Sequence, residues 1–220
     1  MHTHIFADSV PERIYHYNVA PTRDGGRHET FYKYNSLYRE GGLPSSIVYD
    51  NDGLIVMEMY TDINGNYHRI DGPAIVIYHQ KSRRIARAEY WINGKMNNTD
   101  GPAVRDYHLN GNWSHASYRD EAGKPHRDGP YPAEVDFDES GVIRREVYYS
   151  NGMQHRHEDM PSELQYNTSG ELVFKCYCVN GKLHREGGPA LIKLDNGSPV
   201  LEKWFSNGIC VKTRETSIHQ

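Results

Sequence analysis

Short segments in which apolar and polar residues alternate recur along the chain, each following a proline. Alternate positions carry a small residue, a branched residue and a large, usually aromatic residue. A period of two places such residues on one face of a β-strand. Arg105 is the one charged residue in the set. The six triplets are Ser45, Ile47, Tyr49; Ala74, Val76, Tyr78; Ala103, Arg105, Tyr107; Ala133, Val135, Phe137; Ser162, Leu164, Tyr166; and Ala190, Ile192, Leu194.

A second aromatic column precedes a series of turns. Asn-Gly and Asp-Gly steps between alternating segments predict β-hairpins. Each repeat holds two strand-length segments and two turns, and the period is about 29 residues, typical of a repeat array. Two members of the column are one residue out of step, which predicts small bulges there. The column consists of Tyr32, Tyr60, Tyr90, Tyr118, Tyr148, Tyr177 and Trp204.

The pattern predicts an all-β fold. We expect an elongated, single-sheet antiparallel β-meander solenoid of about six and a half two-stranded repeats, each contacting mainly its neighbours. Residues 1–30 are expected to form an irregular N-terminal cap, with a hairpin between 14–17 and 29–32. Residues 31–208 form the array, and 209–220 form a C-terminal cap or tail. Gly or Pro interrupts every helix candidate.

Composition narrows the class of protein. Only 37% of residues are hydrophobic, but 17 tyrosines argue against disorder and suit a thin sheet. The net charge of −4 is not typical of a nucleic-acid-binding protein. No signal peptide, membrane span or polybasic run is evident, so we expect a cytoplasmic protein without membrane or nucleic-acid partners. Three cysteines are expected to be free thiols.

A turn motif, His-Arg-x-Asp-Gly-Pro-Ala in its fullest form, precedes most of the predicted strands. Because an active site needs one converging set of groups, a repeated motif indicates architecture. We expect glycine to supply positive φ, proline to end the turn, and each arginine to pair with the acid of the next repeat. Two copies define this structural motif: His68, Arg69, Asp71, Gly72 and Pro73; and His184, Arg185, Gly188 and Pro189.

Metal and catalytic chemistry are weaker interpretations. The densest set of potential ligands is the sequence HRHED at 155–159, and Cys176 and Cys178 have poor spacing for zinc. Asp136, Asp138 and Glu139 could serve hydrolysis, but a solvated edge beside a turn is the commoner arrangement. We therefore predict no catalytic residues, no metal and no cofactor.

The segments at 177–190 and 90–103 resemble MORN and MORN-like repeats, which share an aromatic strand, a Gly-Lys-x-His turn and a second glycine. The segments are more similar still to the NGKLHREDGPA repeats of large bacteriophages and giant viruses. The resemblance covers residues 31–208. It implies a binding or scaffolding surface, and by analogy a viral product that engages, and in one version inhibits, a host defence protein.

Function is expected where the repeats differ. The second face of the predicted strands is apolar early in the chain and acidic in the middle. An exposed apolar strip marks a protein-binding site, although residues 1–30 folding over it as a lid is an equal alternative. The strip is Val48, Ile75, Ile77 and Val104. Trp113, His115 and Tyr118 form a second candidate, and Glu134, Asp136, Asp138 and Glu139 form an acidic patch.

The predicted partner is a host protein or protein complex met in the host cytoplasm. A homodimer joined at 209–213 is a further option, because the end strand of an open ribbon needs a cap or a partner. The competing hypothesis is a small-molecule or sugar-processing enzyme that uses one carboxylate pair and His115 in a groove of the sheet.

Overall fold

A computed structural model describes residues 4–7, 14–157 and 159–216, with backbone only for 4–7 and 14. The chain divides into two compact units, residues 1–111 and 112–220. Every regular element in the described residues is a β-strand, so the predicted all-β class is confirmed. No described helix has the length and apolarity to cross a bilayer.

Unit 1 is an antiparallel meander in which neighbours along the chain are mostly neighbours in the sheet. The order of its main strands is β1-β2-β3-β5-β6-β7-β8-β11. β4 pairs with the end of β3, and β9 with β10. The strands are β1 (His4–Ala7), β2 (Ile14–Pro21), β3 (Arg27–Lys33), β4 (Ser36–Leu37), β5 (Ser46–Tyr49), β6 (Ile55–Met59), β7 (Ile75–Tyr78), β8 (Ile85–Glu89), β9 (Trp91–Ile92), β10 (Lys95–Met96) and β11 (Val104–Tyr107).

Unit 2 repeats this plan with the order β12-β13-β14-β17-β18-β21-β22-β23, again antiparallel throughout. Two short hairpins, β15-β16 and β19-β20, lie between main strands. The strands are β12 (Trp113–Ser117), β13 (Glu134–Phe137), β14 (Ile143–Val147), β15 (Tyr149–Ser150), β16 (Met153–Gln154), β17 (Glu163–Tyr166), β18 (Leu172–Cys176), β19 (Cys178–Val179), β20 (Lys182–Leu183), β21 (Leu191–Asp195), β22 (Ser198–Ser206) and β23 (Ile209–Glu215).

Two kinds of turn connect the strands. The short hairpins turn at Asn-Gly, where both residues have positive φ, as a two-residue turn with the native twist requires. In other turns an Asp or Asn side chain accepts the backbone N–H groups two and four residues ahead. Asp62 does this for Asn64 and Asn66, and Asp138 for Ser140 and Val142. Local side-chain hydrogen bonds therefore set these turns.

The core is thin and lies on the predicted strand face. The small residue after each proline is fully buried, and most of the branched residues two positions later are buried too. At Ala74 the backbone bonds strands on both sides, accepting from the Tyr60 N–H and donating to the Glu89 carbonyl. The six fully buried small residues are Ser45, Ala74, Ala103, Ala133, Ser162 and Ala190.

Some sequence-based details need correction. The predicted N-terminal hairpin exists as β2 and β3. However, β3 pairs edge to edge with β5, so described residues 15–30 extend the sheet and do not form a lid over it. Bulges lie just before the large residue that ends the post-proline strands, for example between Ile77 and Tyr78, and also between Trp204 and Phe205. Among the described strand pairs, Trp204 is the one member of the aromatic column that lies next to a register shift.

Candidate functional site

The motif arginine lies over the aromatic ring of the preceding strand. The guanidinium carbon of Arg69 is 3.8 Å from the centre of the Tyr60 ring, and Arg185 lies 3.8 Å from that of Tyr177. Each arginine also donates to the carbonyl of the motif proline, at 3.3 Å for Pro73. Arg127 and Arg156 make the same two contacts. A planar cation that stacks and donates in its plane suits this position.

The expected ladder of arginine and acid between repeats is therefore largely wrong. Among the described motif arginines, Arg185 pairs with an acid of the previous repeat. Its Nε and Nη2 donate to the two oxygens of Asp159 at 2.8 and 2.7 Å. This bond holds the pKa of Asp159 below its usual value. In the copies with Arg69, Arg127 and Arg156, the arginine contacts the proline carbonyl and the aromatic ring.

The motif glycine lies directly beside the guanidinium of the motif arginine. Gly72 and Gly188 do not have positive φ, contrary to the prediction. A Cβ at Gly188 would lie 3.1 Å from Nη1 of Arg185, and one at Gly72 would lie 3.5 Å from the guanidinium carbon of Arg69. A side chain at Gly188 would therefore require the Arg185 guanidinium to shift by a few tenths of an ångström.

The motif histidine joins successive repeats. Nδ1 of His68 accepts the backbone N–H of Asn93 at 3.1 Å, and His184 does the same for Asn207 at 3.3 Å. The accepted N–H belongs to the Asn-Gly turn of the next hairpin, which is β9-β10 for His68 and β22-β23 for His184. The histidine thus contacts the turn of the next hairpin, and the arginine contacts the aromatic ring that precedes its own motif.

In the motif copy at 97–103, other residues contact the proline carbonyl and the aromatic ring. Residues 97–98 are Asn-Asn, and Nδ2 of Asn98 donates to the Pro102 carbonyl at 3.1 Å. Arg105 comes from the neighbouring strand, where its guanidinium carbon lies 4.6 Å from the Tyr90 ring centre and Nη1 donates to the Tyr90 hydroxyl. The charged intruder in the strand pattern therefore replaces the missing motif arginine.

The motif occurs in two lengths. Short copies lie at 68–74, 97–103 and 184–190, and long copies with one more residue lie at 38–45, 126–133 and 155–162. In the long copies the residue before the proline is large and apolar: Leu43, Tyr131 or Met160. Because Arg127 donates to Pro132, the structural proline of the middle copy is Pro132. The Gly-Pro step at 129–130 is therefore not equivalent to the Gly-Pro step of the short copies.

The predicted acidic patch is paired within unit 2. Nδ1 of His115 lies 2.5 Å from Oδ1 of Asp136, and Arg145 contacts both Asp136 and Glu163. Burial raises the pKa of Asp136, but His115 and Arg145 outweigh it and hold that pKa below its usual value. The Ser140 hydroxyl, the Val142 N–H and Arg144 hold the pKa of Asp138 far below its usual range.

Glu134 and Glu139 complete that patch. The Tyr149 hydroxyl donates to Glu134 at 3.4 Å, while the backbone carbonyl of Glu139 accepts from Asn112 at 2.8 Å. The patch thus contains compensating cations and donors, and its net field is smaller than the sequence suggests.

The predicted apolar strip is less exposed than expected. Val104 is buried, and Val48, Ile75 and Ile77 are half-buried. Cross-strand pairing inserts two methionines that the sequence analysis missed: Met57 lies opposite Val48 and Ile77, and Met59 opposite Ile75. The strip is not continuous, because Glu89 of β8 lies opposite both Ile75 and Val104 and separates them.

Of the predicted aromatic anchors, Tyr118 carries the Arg127 guanidinium at 3.7 Å, which makes it part of the motif. The ring of Trp113 meets Phe137 edge-on at 6.3 Å, and the indole is partly exposed. Trp113 and His115 share β12, and Tyr118 directly follows it.

A cleft in unit 1 has an exposed apolar rim. We name it the Ile70 cleft: about 450 Å³, lined by two successive motif copies. Ile70 is 80% exposed, Leu43 50% and Ile63 43%. Its lining includes Tyr38, Arg39, Gly42, Leu43, Tyr60, Asp62, Ile63, His68, Arg69, Ile70 and Asp71.

The sequence contained a signal for this cleft. The third motif position is polar in the other five copies: Glu40, Thr99, Asp128, His157 and Glu186. Ile70 alone is apolar there, so an outlier within the repeat, and not the sheet face, marks the surface that the sequence analysis missed.

The HRHED sequence gives a histidine pair. Nε2 of His155 lies 3.3 Å from Nδ1 of His157, with the rings edge to face. Burial, and then the neighbouring His157, lower the pKa of His155. Within the described residues, no three His, Cys, Asp or Glu side chains are placed to hold a metal ion.

Comparison with known proteins adds no relative. No protein-family model matches the chain. No curated protein matches it significantly.

Proposed function

We propose that this protein is a non-enzymatic repeat protein that binds another protein through the Ile70 cleft. One observation carries the proposal: three large apolar side chains, Leu43, Ile63 and Ile70, stand exposed around a single concavity. Exposed apolar groups around a concave site are typical of protein-binding surfaces. The sibling cleft in unit 2 carries Glu186 at the place of Ile70.

The resemblance to MORN-like repeats of viruses adds two elements to this proposal. The array is a scaffold of the MORN-like kind, and the partner is a host protein, with inhibition of a defence protein as the expected outcome. These elements rest on the resemblance, whereas the binding site rests on the cleft.

The test uses Ile70→Glu, which recreates the His-Arg-Glu sequence of the copy at 184–190 and should therefore fold. Val142→Glu, at an exposed apolar position in a unit 2 turn, is the matched control. Wild type and Val142→Glu should capture the same protein from host lysate, and Ile70→Glu should bind it at least tenfold more weakly, about 1.4 kcal/mol. If no captured protein depends on Ile70, the proposal is wrong.

The competing enzyme hypothesis has one contact in its favour, the His115–Asp136 pair. Glycoside hydrolysis requires one carboxyl group that stays protonated to act as the acid. The lowered pKa values of Asp136 and Asp138 leave both ionised near neutral pH. This favours the binding protein over a carboxylate-based hydrolase.

A further inference from the structure

The Asp159–Arg185 pair shows how the fold accepts a carboxylate. Arg185 lies over Tyr177, donates through Nη1 to Pro189, and presents its Nε–Nη2 edge to both oxygens of Asp159 from the preceding long motif. Two parallel hydrogen bonds between a guanidinium and a carboxylate are strong and directional. Unit 2 therefore fills this binding position with its own side chain.

Unit 1 has the same arginine without the acid. Arg69 lies over Tyr60 at 3.8 Å and donates through Nη1 to Pro73 at 3.3 Å, and it lines the Ile70 cleft. The long motif before it, 38–45, has Gly42 where the motif 155–162 has Asp159. Arg69 has no ion-pair partner among the residues that the structure describes.

The backbone at the two positions is also alike. Asp159 has φ 54° and Gly42 has φ 69°, both in the left-handed region that aspartate tolerates better than most residues. A Cβ at Gly42 would meet no atom within 4 Å. The space occupied by the Asp159 side chain in unit 2 is thus open in unit 1.

We propose that Arg69 receives the side-chain carboxylate of an aspartate or glutamate from the partner, as Arg185 receives Asp159. An apolar side chain beside that acid then packs against Leu43, Ile63 and Ile70. The partner segment is an acidic-apolar peptide. This inference rests on the proposed function and names the chemistry of its partner.

The acids near the cleft do not oppose this arrangement. The Asp62 carboxylate is occupied by the N–H groups of its own turn, and Glu40 pairs with Lys33 and the Tyr15 hydroxyl. Asp71 is exposed on the rim. In unit 2, Glu186 directly follows Arg185 in the chain, and Arg185 still binds Asp159.

The test uses acetyl-Asp-Leu-amide and its isosteric control, acetyl-Asn-Leu-amide, with the Arg Nε–Hε signals followed by NMR. The Asp peptide should shift the Arg69 signal saturably, and the Asn peptide should bind at least tenfold more weakly. Gly42→Asp should fill the position from within and abolish the response. Asp159→Gly should create a second, weaker response at Arg185, because Glu186 stands where unit 1 has Ile70.

Equal binding of the two peptides, no shift at Arg69 up to the solubility limit, or unchanged binding by Gly42→Asp would each overturn the inference. Capture of the partner from host lysate by the two variants distinguishes this inference from the proposed function. A partner lost by Ile70→Glu but kept by Gly42→Asp would leave the protein-binding function standing and remove the carboxylate site. A partner kept by both variants would remove both.

Discussion

At the residue scale, each motif side chain has a different neighbour. Histidine accepts a backbone N–H from the next turn, arginine covers a ring, proline offers its carbonyl, and glycine leaves room for the guanidinium. These contacts lie within the chain, which explains why the motif recurs. Departures from it, at Ile70, Gly42 and Asp159, are where the copies acquire different surfaces.

His155 departs from the motif in its titration. Its pKa is lowered by burial and by His157, so the folded state binds its proton more weakly than the unfolded state does. His155 therefore adds stability that is complete above the ordinary histidine pKa of about 6.5 and is lost as the pH falls through the lowered value.

We predict that the free energy of unfolding falls less between pH 8 and pH 5 in His155→Gln than in the wild type. His157→Gln should show an intermediate loss, because burial remains when the neighbouring charge is removed. Urea denaturation at both pH values measures this. Identical pH responses of wild type and His155→Gln would show that the prediction is wrong.

At the element scale, the repeat itself could be read from the sequence. Period-two alternation and Asn-Gly turns suffice for strands and hairpins, because these depend on neighbouring residues. The contacts of Arg69, His68 and Arg105 could not be predicted from the sequence. These long side chains reach other strands or turns, and the distances between those elements are known only in the folded chain. The sequence correctly placed the small alanines on the buried face of the strands. It did not predict that the motif glycine lies beside the arginine.

The copy at 97–103 allows a test of equivalent solutions. Asn98→Arg restores the motif arginine and Arg105→Val restores a branched residue on the strand. Asn98→Arg alone should destabilise the fold, because two guanidiniums would then compete for Tyr90. The double variant should regain nearly wild-type stability, with a coupling energy of about 1 kcal/mol from chemical denaturation. Strictly additive effects would mean that Arg105 does not replace the motif arginine.

At the scale of the whole molecule, a repeat should be removable. Each repeat of unit 2 contacts the next through strand pairing and through hydrogen bonds between hairpins, such as that from the Gly208 N–H to the Leu183 carbonyl. Removing one period, residues 155–183, joins Gln154 to His184. The Gln154 carbonyl already accepts the equivalent hydrogen bond from the Gly181 N–H. In the shortened chain Arg185 would lie over the Tyr148 ring, where Arg156 lies in the wild type.

We predict that the variant lacking 155–183 folds as a shorter sheet with a single, lower thermal transition by circular dichroism, since repeats contribute nearest-neighbour terms. Removing 155–180 instead puts the turns out of step and exposes apolar faces, so this control should unfold. Binding of acetyl-Asp-Leu-amide at Arg69 should be unchanged in the shorter chain, because the residues that line the Ile70 cleft lie within unit 1. Equal damage from the two deletions would mean that the repeats are not interchangeable, and that the outliers among them cannot be read as additions to a common scaffold.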